Sequence, residues 1–131
     1  MNVLDKLHEI SDSIANLERT ILDAKEAAAD AKEELDRLET RYKKKAANDD
    51  ELTNRTKRKA YVSGQKESAE YQDVKSTLAE SERKIEELQI QLRAAQRKFE
   101  IAKIEANSAR TNAAQNANNI ADNITNGTDL T

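Results

Sequence analysis

Apolar residues recur along the first third of the chain in alternating steps of four and three: Val3, Leu7, Ile10, Ile14, Leu17, Ile21, Ala24, Ala28, Ala31, Leu35, Leu38 and Tyr42. This is an unbroken heptad seam, with a positions at 7, 14, 21, 28, 35 and 42 and d positions at 3, 10, 17, 24, 31 and 38. A second run starts at Tyr71 and continues through Val74, Leu78, Ser81, Ile85, Leu88, Leu92, Ala95, Phe99, Ala102, Ala106, Ala109 and Ala113, with Ser81 its one polar member. The pattern predicts two long helices, over residues 2–46 and 68–113, the first about 65 Å long at 1.5 Å per residue.

Seam volumes suggest how the helices pair. The first is small in its middle, at Ala24, Ala28 and Ala31, and the second is small from Ala95 onward. In an antiparallel pair a faces d, so facing residues share a constant index sum. A sum of 116 sets Ala28 against Leu88, Ile14 against Ala102, Leu7 against Ala109 and Val3 against Ala113, one large and one small residue in nearly every layer. A sum of 109 sets Ala28 against Ser81 and Leu17 against Leu92, a void beside a bulge. The expected fold is therefore all-α, a long antiparallel coiled-coil hairpin over residues 1–113 with facing residues summing to 116.

Residues 47–67 join the helices. A structureless loop of that length is uncommon, and a short helix over roughly 51–63 is expected at the tip. Asp49 and Asp50 would cap it, Leu52, Tyr61 and Val62 would turn inward, Arg58 and Lys59 would lie nearer its end, and Gly64 would sit at C′. Ser68 would cap the return helix. Beyond Ala113 the chain turns rich in Asn and Thr and nearly lacks large apolar residues, so residues 114–131 are expected to fray into a disordered tail.

Composition supports elongated helices over a compact globule. Charged residues make up 36% and aromatics 3%, with no Pro or Trp and two Gly, the profile of long helices and coiled coils. The absence of Cys excludes disulfides, thiolate metal sites and thiol catalysis. MNVLDKLHEI lacks a signal-peptide pattern, and no run approaches 18 apolar residues, so a cytoplasmic protein without a membrane span is expected.

Charge is unevenly placed. The chain carries −3 overall, yet residues 41–66 hold nine Lys or Arg against Asp49, Asp50 and Glu51, a local +6. One reading is a solvated bend whose cations at Lys43, Lys44 and Lys45 suit the C-terminal end of a helix dipole. Another is a surface for phosphates or an acidic protein, formed by Lys43, Lys44, Lys45, Arg55, Lys57, Arg58 and Lys59, with Tyr61 available to stack on a base. Tyr42 and Tyr71 occupy seam positions, which suits packing better than stacking.

A second apolar stripe, Ile90, Ala94, Ile101 and Ile104, lies off the seam of the return helix, and Leu4 and Leu22 are surplus on the first. One thin hairpin cannot bury two faces, so these residues are expected to form a homo-oligomer interface. Nothing points to catalysis, a metal, a cofactor or a small-molecule substrate. His8 is the one histidine and falls at an outer b position. Carboxylates such as Glu33, Glu34, Glu86 and Glu87 lie on solvated faces, whereas bundle metal sites project Glu and His inward. A non-enzyme is expected.

The stretch TNRTKRKAY…SAEYQDVKSTLAESERKIEELQIQLRAAQRKF, Thr53 to Phe99, resembles short helical proteins of tailed bacteriophages and prophages. The matching positions are Thr53, Asn54, Arg58, Lys59, Ala60, Glu70, Tyr71, Gln72, Arg97 and Phe99. The family often has Pro before Glu-Tyr, where this chain has Ala69. Genes of this kind often lie near single-strand-annealing recombination functions. The resemblance thus implies an accessory or adaptor role around single-stranded DNA or its binding proteins. The alternative is a protein-only module, a phage structural or scaffolding component or an inhibitor of a host enzyme.

Overall fold

The computed structural model describes the backbone of residues 2–129 and the side chains of residues 2–121. It is all-α: α1 spans Val3–Ala47, α2 Arg55–Gln65 and α3 Ala69–Asp129. Two compact units divide the chain. The central unit is Glu18–Ile90, and the terminal unit combines Met1–Leu17 with Gln91–Thr131.

In the central unit the later part of α1 packs against the start of α3, and α2 lies where the two helices are joined. The seam residues Ile21, Ala24, Ala28, Ala31, Leu38, Tyr42 and Ala46 of α1 are buried, as is Leu88 of α3. Leu38 is fully enclosed and Ala46 is 1% exposed. The Tyr42 and Tyr71 rings pack at 6.3 Å with their planes tilted by 50°, and the Tyr42 hydroxyl lies 3.5 Å from Ser68 Oγ. The Tyr71 amide donates to Ser68 Oγ at 3.4 Å, so Ser68 caps α3 as its position predicts.

In the terminal unit the first turns of α1 lie along α3. Leu7, Ile10, Ile14 and Leu17 are half-buried on one side, and Leu92, Ala95, Phe99 and Ala106 on the other, around a buried Ala102. Lys6 pairs with Glu105 at 3.8 Å, and the Lys103 ammonium sits 5.3 Å from the Phe99 ring centre.

The cross-helix contacts do not follow the expected register. In the terminal unit the ion pair Lys6–Glu105 has an index sum of 111, and in the central unit Arg41–Glu70, at 3.5 Å, has the same sum. Side chains lean toward their own N-terminus. In an antiparallel pair, tips that meet therefore sum to slightly more than residues at equal height. Both contacts fall short of the expected 116, as does the Tyr42–Tyr71 ring contact at 113. Ala109 and Ala113, expected to face Leu7 and Val3, are exposed.

Leu38, Tyr42 and Ala46 are buried near the end of α1; Tyr42 packs on the start of α3, and Ala46 lines a cleft with Val62 of α2.

Three local expectations also change. The short helix begins at Arg55, not 51, because Asn54 is its N-cap: extended at φ −139°, it accepts the Lys57 amide on its side chain. Asp49 instead closes the preceding turn by accepting the Glu51 amide at 2.9 Å. Gly64 lies inside α2 and the C-cap is Lys66; among the described residues no glycine has positive φ. Lastly, α3 does not stop at 113 but stays helical to Asp129. No Pro or Gly interrupts it before Gly127, and adding one residue to an existing helix costs far less than nucleating one. Every described side chain from 107 to 121 is exposed, so this stretch has no packing of its own. Ile124 and the rest of 122–131 lie outside the described side chains.

Candidate functional site

The cations of residues 41–66 are distributed over two helix ends. α1 finishes with Lys44 and Lys45 in its last turn, where positive charge complements the helix dipole. α2 does the reverse. Its first residues are Arg-Thr-Lys-Arg-Lys, with no acid in the first turn and no base in the last. Arg58 and Lys59, expected nearer the end of the short helix, lie in its first half. Cations there oppose the dipole and weaken α2.

Residues of α2 and α1 line an open cleft of about 400 Å³. Glu39, Lys43 and Ala46 line it from α1, spaced by four and three. Arg55, Arg58, Lys59, Val62 and Ser63 line it from α2, with the C-cap Lys66. Five cations therefore share the lining with a single carboxylate and with the apolar Ala46 and Val62. Glu39 accepts from Lys66 Nζ at 3.1 Å and from Lys43 Nζ at 3.3 Å. The Lys66 and Lys43 ammoniums hold its carboxyl below the usual carboxylate range, against a smaller opposing effect of burial. Arg58 Nε donates to the Leu52 carbonyl at 3.2 Å, which ties the guanidinium to the preceding turn. Arg55 and Lys59 make no ion pair among the described residues.

Of the residues singled out in the sequence, Lys43, Arg55, Arg58 and Lys59 are thus brought together. Lys44, Lys45 and Lys57 are exposed but outside the pocket, and Tyr61 is half-buried without lining it. Leu52 and Val62 are half-buried, as their inward assignment requires. Tyr42 and Tyr71 are committed to each other, as their seam positions indicate. Sequence reasoning missed Glu39, Lys66 and the apolar lining. Placed correctly, the helix would have shown Lys66 and Val62: Arg55, Lys59, Val62 and Lys66 recur at four, three and four, one face of a helix.

The surplus apolar residues are exposed in their own units. Leu4, Ile101 and Ile104 are 62%, 56% and 64% exposed in the terminal unit, and Leu22 and Ile90 are exposed in the central one. Ala94, with Ile101, lines a terminal-unit groove of about 720 Å³ that also includes Ile10, Leu17, Ala95 and Ala102. His8 is exposed. Among the described residues no group of three His, Cys, Asp or Glu is arranged to hold a metal, and no helix is long and apolar enough to cross a membrane. No protein-family model, curated protein or solved structure matches the chain.

Proposed function

We propose that the protein is a non-enzymatic adaptor that contacts single-stranded nucleic acid through the cationic face of α2. One observation carries this reading. Arg55, Lys57 and Arg58 crowd the positive pole of α2, where they destabilise the helix, and no acid in the first turn offsets them. A solvated bend has no reason to bear that cost. A surface that meets phosphate does, because cations and helix N-terminus then act on the same anion. The resemblance of Thr53–Phe99 to phage helical proteins would place such an adaptor in phage DNA metabolism.

The test is fluorescence anisotropy of a labelled oligo-dT titrated with the protein at low and physiological salt. Each phosphate neutralised on a single strand lowers the slope of log K against log salt by about 0.7, so engagement of four or five cations gives a slope near −3. Changing Lys57, Arg58 and Lys59 together to Glu should abolish binding. Failure to bind even at low salt would sink the reading.

A protein-only module is the second reading, favoured by the exposure of Leu4, Ile101 and Ile104. On that reading the protein ignores DNA and associates through these side chains. Sedimentation of an Ile101→Ser/Ile104→Ser variant should then show a smaller assembly than the parent chain.

A further inference from the structure

We infer that the pocket between α1 and α2 is a seat for one phosphate group of a single-stranded nucleic acid, and that Glu39 fills the seat when no ligand is bound. The inference rests on the proposed nucleic-acid contact and narrows it from a charged face to one site.

Glu39 is the one carboxylate lining the pocket, and two ammoniums from different elements converge on it, Lys43 on α1 and Lys66 at the end of α2, at 3.3 and 3.1 Å. Both ammoniums bond one carboxylate oxygen, Oε1, the place that one free oxygen of a phosphate would take. Around it Arg55 and Lys59 pair with nothing among the described residues, and the Arg58 Nη atoms have no partner there either. Three cations are thus left over after the internal carboxylate has been satisfied, which a pocket built only to hold α2 onto α1 would not require.

The internal anion is also easy to displace. The Glu39 side chain is 30% exposed and that of Lys66 35%, so the carboxylate can swing into water without losing a buried environment, and ion pairs this exposed are weak. A phosphodiester carries the same single charge as the carboxylate it replaces. Lys43 and Lys66 keep a partner after the exchange, while Arg55, Arg58 and Lys59 gain one. The half-buried Val62 offers an aliphatic surface to the adjoining sugar. A flexible single strand can press one phosphate into a concave site, whereas a duplex presents its phosphates on a stiff convex surface.

The same labelled oligo-dT, at low salt, is titrated with the parent protein, Glu39→Gln and a control, Glu51→Gln, which removes an exposed carboxylate of the neighbouring turn that does not line the pocket. If Glu39 competes for the seat, Glu39→Gln tightens binding about twofold, the weight of ion pairs this exposed, and Glu51→Gln changes it much less. Equal tightening by both would overturn the seat and leave a diffuse cationic contact standing. No binding by any of the three would overturn both the seat and the proposed function. Amide NMR of the unsubstituted protein supplies a second reading. Oligo-dT and inorganic phosphate should shift the same resonances, those of Ala46, Val62 and Ser63. Shifts confined to residues outside the pocket, or produced only by poly-glutamate, would contradict a phosphate seat.

Discussion

The last turn of α1 and the first turn of α2 are both cationic, yet they stand at opposite poles of a helix. Lys44 and Lys45 lie where carbonyls accumulate, and Arg55, Lys57 and Arg58 lie where amide N–H groups do. The same charge therefore stabilises one helix and strains the other. A basic segment read as one block conceals this. Charge that helps a helix end needs no ligand to explain it, and charge that opposes one does.

The contrast depends on the core beneath both turns, and removing that core should have the largest effect. Leu38 is fully enclosed, and Leu38→Ala is expected to lower the unfolding free energy by about 2–5 kcal/mol in urea denaturation. A loss under 1 kcal/mol would mean that this end is far looser than described. Next come the charges themselves. Lys44→Glu with Lys45→Glu should destabilise the protein by about 0.5–2 kcal/mol, whereas Arg55→Glu with Lys57→Glu should stabilise it by a similar amount. Shifts of the same sign in the two variants would remove the contrast.

Smaller effects sharpen the picture of α2. A Cβ added at Gly64 meets nothing within 4 Å and φ is not positive. Gly64→Ala should therefore raise stability by about 0.5–1 kcal/mol without altering oligonucleotide affinity. Glu39 gives the smallest signal. Its folded pKa is lowered by Lys66 and Lys43. Its contribution is therefore complete above the unfolded carboxylate value and is lost as pH falls through the lower folded value. At 30% exposure that contribution is at most about 0.5 kcal/mol. The acid limb of the stability curve should shrink by this much in Glu39→Gln.

The fold class was legible because the heptad steps of both long runs are unbroken and only one seam member is polar. Register was not. Alternation of large and small seam residues favoured one pairing, but the cross-helix contacts have index sums of 110 to 113 and not 116; the start of α2 turned on a single cap. Taking Asp49 and Asp50 as caps placed the helix four residues early, which put Arg58 and Lys59 toward the wrong pole. Asn54 has the same capping chemistry and lies directly before the cations. The cationic side chains themselves were legible from composition. Glu39 was not, because an e-position carboxylate on a coiled coil looks like any other outer residue until Lys66 is brought back over it. The stretch after Ala106 shows the limit in the other direction. Ala109 and Ala113 continue the seam in phase, yet they are exposed.

The most direct measurement compares oligo-dT affinity and its salt dependence for the two double charge reversals. The account predicts that Arg55→Glu/Lys57→Glu loses most of the affinity and flattens the salt slope while folding more stably. Lys44→Glu/Lys45→Glu should keep most of the affinity and fold less stably. Equal losses in the two variants, or a parent protein that does not bind at all, would contradict it.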